Sequence, residues 1–481
     1  MAAAAWFARR IFGLPYRFLR SEMFDNIRNE IPRLLVLAGP MVVAQLLQMS
    51  MGLVDTIMVG RLGATSLAAV ALGNAIYFPL FLVCAGILSA VSPLVSQSHG
   101  AGDADPIGRT VRQALWLGSL LAVPAIAMMW NVERLLLLYG LEPRVAHLTQ
   151  GYLRMVSGAF VPGLWYTALR HFVEALGRPK VVMVITALGA LANVGGNYVL
   201  MYGKLGLPAL GVAGTGLSTA IVAWILFTSL VVFVQQHWSL RTYGVFSRLG
   251  KPDSPSFRRL FRLGWPIGIM LGVETGLFAT AAFMMGKLGT TELAAHQIAL
   301  QCAGTTFMVP LGVAFATAVR VGFEVGAGNP HGARIAGLTG TGVSVLFMSL
   351  TATMFFLFPR DIISLFVDLS DPANGPVLNV AVILLGLAAI FQVFDGIQVT
   401  AAGALRGLGD TRIPMIVAVV SYWIVGLTGA FVLAFRFDMG PEGIWWGLVL
   451  GLSTAAVLLL TRFVVLSGQP ERLEPVHRLG P

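Results

Sequence analysis

Three acidic residues stand inside segments that are otherwise apolar: Asp55, Glu274 and Asp395. A charged side chain at the centre of a bilayer costs about 2.5–3.5 kcal/mol on insertion scales, so acids at such depth are usually functional. A carboxyl group withdrawn from water favours its neutral form, so it can load and release a proton, and its oxygens can instead bind Na⁺. These acids are the candidate cation- or proton-binding residues. The alternative for each is a structural hydrogen bond to a neighbouring helix.

Two asparagines, Asn193 and Asn197, are four residues apart and therefore share one face of a helix. Asparagine inside a membrane commonly joins helices by hydrogen bonds. The alternative is that the pair orients Asp55. His296 begins an apolar segment, and we expect it at the membrane interface.

The composition of the whole chain identifies the elements that must position these groups. Of 481 residues, 57% are hydrophobic and only 11% are charged, whereas about a quarter of the residues of a soluble protein are charged. The apolar runs exceed the roughly 20 residues that a membrane helix needs, while barrel strands need only about 9–11 alternating residues. The chain is therefore predicted to be an all-α, polytopic integral membrane protein.

Twelve apolar segments are predicted to cross the bilayer, and we call them spans 1 to 12. They cover residues 34–54, 62–102, 113–132, 145–169, 181–203, 211–236, 263–286, 293–319, 335–359, 377–405, 413–435 and 443–461. With the N-terminus inside, 24 Lys and Arg residues fall on the cytoplasmic side and 7 on the outer side. This asymmetry predicts that both termini are cytoplasmic.

The two halves of the chain repeat each other. Residues 37–103 align without gaps over residues 263–329, and 8 of the 12 positions in 58–69 are identical to those in 284–295. A weaker match has an offset of 232. Each half holds six spans, so the repeats enter from the same side and are parallel. The predicted parts are a cytoplasmic N-terminal segment (1–33), an N-lobe (34–236), a cytoplasmic linker (237–262), a C-lobe (263–465) and a cytoplasmic tail (466–481).

Other functional classes find little support in the sequence. A Gly-Lys-Ser/Thr phosphate loop and a His/Cys metal cluster are both missing from it, and the cytoplasmic loops are too short for a nucleotide-binding domain. We therefore expect neither an enzyme nor a cofactor, and no nucleic-acid partner. A channel fits the single buried acids poorly. Residues 6–19 are either an amphipathic helix on the inner membrane surface or a disordered tail.

Several motifs together resemble the multidrug and toxic compound extrusion (MATE) family. They are VDTIMVGR (54–61), AHQIA (295–299), FQVFD (391–395) and AAGALRG (401–407). The asparagine pair followed by MYGKLGLP (201–208) resembles the NorM-type bacterial branch of that family. The resemblance implies a V-shaped pair of six-helix bundles in the bacterial cytoplasmic membrane. It also implies a monomeric antiporter that exports cationic, amphipathic drugs in exchange for H⁺ or Na⁺ by alternating access.

The resemblance also assigns site residues. Glu274 and Asp395 match the C-lobe cation-site acids, where Na⁺ is one possible ligand, and Asp55, Asn193 and Asn197 match the N-lobe polar cluster. Some relatives carry a tyrosine four residues before the span-10 aspartate, where this chain has Phe391. The missing hydroxyl favours H⁺ over Na⁺ as the coupling ion.

The alternative function within the same superfamily is a lipid-linked oligosaccharide flippase. Such a protein holds an anionic pyrophosphate, so its cavity should be rich in arginine. The deep charges of this chain are mostly acids, and Arg154 is the one arginine that falls clearly within a predicted span. This pattern favours a cationic substrate.

Overall fold

The computed structural model describes residues 18–247, 250 and 253–469. The predicted surface helix lies outside these residues except for its last two positions, and the tail lies outside them beyond residue 469. The described N-terminal half is helical, with α-helices Phe18–Gly60, Ala64–Leu88, Val91–Gly100, Asp105–Trp130, Val132–Leu138, Pro143–Val156, Phe160–Ala175, Pro179–Tyr202, Val212–Gln236 and Trp238–Arg241.

The described C-terminal half is helical as well. Its α-helices are Ser254–Leu288, Thr290–Gly326, Pro330–Leu357, Pro359–Ile363, Gly375–Gly407, Arg412–Val419, Thr428–Phe431 and Gly440–Ser467. Two π-helical stretches, Val420–Leu427 and Val432–Arg436, interrupt span 11. Most helices extend beyond the predicted spans by several residues, because hydropathy marks the lipid-covered part of a helix and not its ends.

Among the described residues, eleven helical segments are long and apolar enough to cross a membrane. Span 4 is the exception to the twelve predicted spans. It is divided into Pro143–Val156 and Phe160–Ala175 by a 3₁₀ turn over Ser157–Ala159. The reason is Pro162, which has no N–H to bond the carbonyl of Gly158. Pro93 explains the break after Leu88 in span 2 in the same way.

Buried apolar side chains form two separate clusters. One consists mainly of residues from spans 1 to 6, and the other consists of residues from spans 7 to 12. A few side chains from the first part of span 7 and from the end of span 8 join the first cluster. Each half of the chain thus packs around a core of its own, as expected of a helix bundle.

The lobes approach each other through two contacts that repeat the sequence duplication. A Cβ atom added to Gly86 would lie 3.0 Å from the Cα of Gly268, and one added to Gly312 would lie 2.8 Å from the Cα of Val42. In the alignment of the two halves at an offset of 226, Gly86 is equivalent to Gly312 and Val42 is equivalent to Gly268. The two contacts are therefore the same contact, made twice around a pseudo-twofold axis.

A second symmetric pair lies at the end of the lobes that also carries the start of span 1. A side chain at Gly100 would collide with the backbone carbonyl of Phe323, and one at Gly326 would collide with the backbone carbonyl of Gln97. These positions are also related by the offset of 226. Only glycine lets two helices approach so closely, so this end of the lobes is closed by backbone-to-backbone packing.

Candidate functional site

The N-lobe polar cluster joins span 1 to span 5. The side-chain amide of Asn193 donates a hydrogen bond of 3.0 Å to Asp55 Oδ1, and the amide of Asn197 donates to the same oxygen. Both asparagines are buried, at 2% and 0% exposure, while Asp55 is half-buried. The i, i+4 spacing in helix Pro179–Tyr202 places both amides on the face that meets span 1.

The orientation of these amides suits an ionised Asp55, which accepts hydrogen bonds and cannot donate them. The carbonyl oxygens of Asn193 and Asn197 are buried without a hydrogen-bond partner among the described residues. A protonated Asp55 would carry an O–H group that could donate a hydrogen bond to either of these carbonyl oxygens. The cluster therefore offers two hydrogen-bonding arrangements that differ by one proton.

The C-lobe holds the other two acids. Asp395 on span 10 is 5% exposed, and its Oδ1 atom has no hydrogen-bond partner within the described part of the chain. Glu274 on span 7 is half-buried, and its charge interacts with that of Asp395. Two adjacent carboxyl groups in an apolar bundle repel each other when both are ionised, so a bound cation or proton stabilises the pair.

Sequence reasoning missed three residues that surround these acids. Arg406, near the end of span 10, interacts electrostatically with Glu274, and Gln398 and Tyr422 are buried nearby at 1% and 0% exposure. One signal could have found Gln398, because it follows Asp395 by three residues and shares its helix face. No sequence pattern pointed to Tyr422, which another span brings to the site.

Arg170 directly follows predicted span 4, and hydropathy alone predicts it at the cytoplasmic surface, where it counts among the 24 inside Lys and Arg residues. The structure buries it instead. It lies in helix Phe160–Ala175 and is 5% exposed. Its guanidinium donates hydrogen bonds to Glu174 (2.8 Å), Gln48 (3.0 Å) and Gln45 (2.7 Å). The offset of 226 places Gln48 at the position of Glu274. The N-lobe thus holds a fixed arginine cation where the C-lobe has an acid, which hydropathy could not reveal.

His296, at the start of span 8, is fully buried within the protein. Its ring packs edge-on against Trp445, with 5.8 Å between centroids, and Trp445 packs in turn against Phe391 at 5.7 Å. Phe391 lies one helical turn before Asp395. The rings of His296, Trp445 and Phe391 therefore pack in series from the start of span 8 to the helical turn before Asp395.

Comparison with known proteins adds independent information on the family. The family model described as MatE matches residues 40–199 and 266–432. The two matches begin at positions that are related by the internal offset of 226. Each match covers most of one lobe, in agreement with the duplication.

Similar sequences cover nearly the full chain. A "Probable multidrug resistance protein NorM" from Mesorhizobium japonicum is 43% identical over 455 residues, which are 94% of this chain and 97% of that protein. A protein of the same description from Pseudomonas putida is 43% identical over 435 residues, covering 90% of this chain and 94% of that protein.

The fold has a solved counterpart. The crystal structure of the eukaryotic MATE transporter AtDTX14 superposes with a TM-score of 0.82 and covers 93% of this chain and 99% of that chain. The sequence identity of this pair is 22%, so the likeness concerns the fold alone. It identifies the arrangement of helices described above as the all-helical membrane fold of these transporters.

Proposed function

The chain belongs to the MATE family of multidrug transporters, and from this premise we propose that it exports cationic, amphipathic drugs in exchange for H⁺ or Na⁺. It is a multi-pass membrane protein and not an enzyme. Its substrates are small molecules, as the names of its relatives indicate. It works as a monomer in the bacterial cytoplasmic membrane, because one chain supplies both lobes.

The observation that carries this proposal is the pair Glu274 and Asp395. The two carboxyl groups interact inside an apolar bundle, and one oxygen of Asp395 is buried without a hydrogen-bond partner among the described residues. Leaving such a group unpaired is costly. A site of this kind is stabilised by a cation that enters and leaves, which is what an antiporter requires.

Alternating access follows from the contact between the lobes. With both termini in the cytoplasm, the glycine contacts of Gly100 and Gly326 lie at the cytoplasmic end. The structure then corresponds to a state that is closed towards the cytoplasm. Drug export requires that these contacts break and re-form in each cycle.

The buried arginines support a cationic substrate over a pyrophosphate. All three donor groups of Arg170 named above are used by Glu174, Gln48 and Gln45. Arg406 interacts with Glu274. The Arg170 guanidinium therefore has no pair of uncommitted donor groups with which to hold a phosphate, which a flippase for lipid-linked oligosaccharides would need.

Inverted membrane vesicles test the proposal directly. A fluorescent cationic dye is loaded, and a pH gradient or a Na⁺ gradient is imposed separately. We expect one of the two gradients to drive dye transport by the native protein. Glu274→Gln and Asp395→Asn should each abolish this transport, because the neutral side chains no longer exchange a cation.

Glu442→Gln is the matched control, since it makes the same chemical change at the outer end of span 12. It should transport dye at the native rate. If both C-lobe variants reach the membrane in native amounts and still transport dye in response to the gradient, the assignment of the cation site is wrong.

A further inference from the structure

Three side chains form a closed hydrogen-bonded triangle, which we call the clasp. Arg178 lies in the turn between spans 4 and 5, and His237 and Ser239 lie at the start of the linker. The Arg178 guanidinium donates from Nη1 to His237 Nε2 at 2.8 Å and from Nη2 to Ser239 Oγ at 3.1 Å. His237 Nδ1 lies 3.1 Å from Ser239 Oγ. The clasp therefore ties the linker to the turn, at the cytoplasmic end of the N-lobe in the proposed orientation.

The triangle determines the protonation state of its histidine. A guanidinium can only donate hydrogen bonds, so His237 Nε2 accepts and carries no proton. The proton of the neutral ring is then on Nδ1, which donates to Ser239 Oγ. A doubly protonated imidazole has no acceptor left, and it places a second positive charge against Arg178. The clasp is therefore closed only while His237 is neutral.

The surroundings of His237 do not compensate a positive charge. Its ring packs against that of Phe233 in the last turn of span 6, with 5.4 Å between centroids. The charged and titratable groups around it are Arg178, Arg241 of the same short helix, and Tyr243, which interacts with Arg178. Within the described part of the chain, no carboxylate pairs with His237. Its protonation therefore adds repulsion without a new partner.

The duplication supplies a C-lobe counterpart with different chemistry. At the offset of 232, Arg178 is equivalent to Asp410, and each follows a left-handed glycine, Gly177 (φ 75°) or Gly409 (φ 82°). Asp410 Oδ2 accepts a hydrogen bond of 2.6 Å from Nε of Arg462, which directly follows span 12. Carboxylates and guanidinium groups ordinarily keep their charges from about pH 5 to 8, whereas histidine changes its charge in this range. Of the two equivalent ties, only the one in the N-lobe contains a group of this kind.

The clasp is one of two attachments that hold residues 237–247 of the linker on the N-lobe. Leu240 and Val245 are 1% and 2% exposed and belong to the apolar core of the N-lobe. Arg112, directly before span 3, donates from Nη1 to the backbone carbonyl of Gly244 at 2.7 Å. The clasp fixes the beginning of this segment, and the contact with Arg112 fixes its later part.

We propose that the clasp is a cytoplasmic pH sensor, in which neutral His237 fastens the start of the linker to the N-lobe and protonated His237 releases it. The linker is fixed at neutral and alkaline pH and is released as the pH falls. Because the linker joins span 6 to span 7, the connection between the lobes then responds to the pH of the cytoplasm. This inference requires neither a particular coupling ion nor a particular drug.

The test is amide hydrogen exchange of the purified full-length protein in detergent, read by mass spectrometry. The backbone amides of Leu240 and Arg241 both donate to the carbonyl of His237 at 3.0 Å, so their exchange reports the attachment of the linker. Exchange times are scaled to the intrinsic rate at each pH between about 5.5 and 8. In the native protein, the corrected exchange of these amides should be on the order of tenfold faster at the acidic end, which corresponds to about 1.4 kcal/mol.

Two variants separate titration from loss of the clasp. His237→Gln should exchange slowly at every pH, because an amide oxygen accepts the Arg178 hydrogen bond whether or not protons are abundant. Arg178→Gln should exchange fast at every pH, because the guanidinium donors are lost. His331→Gln is the matched control, since it makes the same change at an exposed histidine and should keep the native pH profile. The peptide that contains Asp410 should show no pH dependence in any of these proteins.

Two results would overturn the inference. One is a native protein in which the corrected exchange of the linker amides is the same across the whole pH range. The other is a His237→Gln protein that keeps the native pH dependence, since another group would then be responsible for it. Neither result affects the proposed function, which is tested by gradient-driven dye transport and by the C-lobe variants.

Discussion

Arg320, directly after span 8 in helix Thr290–Gly326, binds Glu30, which precedes span 1 in helix Phe18–Gly60. The guanidinium donates from Nε to Glu30 Oε1 at 2.7 Å and from Nη2 to Glu30 Oε2 at 2.8 Å. Arg320 Nη2 also lies 2.8 Å from Glu324 Oε1 of its own helix. Both partners of the interlobe pair are largely buried, with side-chain exposures of 13% and 7%. The pair fastens the two lobes at the end where span 1 begins, which is the cytoplasmic end in the proposed orientation.

Glu30→Gln should loosen this end, because a neutral amide cannot form the charge-assisted, two-point interaction. Spin labels at Asp103→Cys and His331→Cys, in a background without Cys84 and Cys302, would report the distance between the lobes. We expect the population of the longer distance to rise about tenfold, or about 1.4 kcal/mol. Arg33→Gln is the control, since Arg33 is 67% exposed and lies 4.0 Å from Glu30. Identical distance distributions for Glu30→Gln and the native protein would contradict a fastening role.

Gly326→Ala should weaken the packing between the lobes at the same end, for a different reason. The new methyl group would collide with the carbonyl of Gln97, and such overpacking costs about 1–3 kcal/mol. The measurement is the melting temperature together with the spin-label distance described above. Gly100→Ala should behave alike because of the pseudo-twofold symmetry. Gly304→Ala is the control, since nothing lies within 4 Å of its added Cβ. A native melting temperature for both contact variants would refute close packing at this end.

Asp55→Asn should abolish the pH dependence of drug binding. The ionised carboxylate, which accepts hydrogen bonds from Asn193 and Asn197, can pair with a cationic drug. The protonated form loses this charge and gains an O–H donor towards the asparagine carbonyl oxygens, which should draw span 1 against span 5. Proton and drug therefore compete, and binding of a cationic dye by the native protein should strengthen from about pH 5 to pH 8.

Equilibrium binding of the dye to purified protein checks the prediction for Asp55. Asp55→Asn should give a flat profile, because the amide does not titrate. Asp361→Asn, an exposed acid outside the spans, should keep the native profile. A native pH profile in Asp55→Asn would mean that Asp55 is structural and that coupling belongs to the C-lobe alone.

Arg406→Gln should strengthen cation binding at the C-lobe acids. The guanidinium interacts with Glu274, and its positive charge opposes the arrival of another cation. Its removal should lower the cation concentration for half-maximal dye transport about fivefold, or about 1 kcal/mol. Slower cation release should at the same time reduce the maximal rate. Arg412→Gln, at an exposed position nearby, should change neither value. A higher half-maximal concentration in Arg406→Gln would reverse the sign of the proposed effect.

The topology is testable by reporter fusions. The distribution of Lys and Arg predicts that a fusion after residue 250 reports the cytoplasm and that one near residue 365 reports the outside. An alkaline phosphatase fusion is active only outside, and a green fluorescent protein fusion is fluorescent only inside. Activity of the phosphatase at residue 250 would rule out the orientation on which the direction of transport depends.

The sequence alone determined the fold class, the family and the positions of the acids. Hydropathy and charge are properties of each segment, so runs of apolar residues predict helices without knowledge of their neighbours. The internal duplication could also be recognised from the sequence, because residues such as Gly100 and Gly326 occupy equivalent positions in the two halves. Asp55, Glu274 and Asp395 stood out because lipid tolerates few acids.

The tertiary structure decided which side chains meet. Hydropathy could not place Arg170 inside a bundle. The cost of burying its charge is offset by Glu174 on the same helix and by two glutamines that come from distant positions. It could not connect Tyr422 to Asp395 either, since 27 residues of chain and a change of helix separate them. Contacts between helices depend on how the spans pack against each other. A pattern within one span determines which face is polar, but the partner of that face is decided only when the lobes assemble.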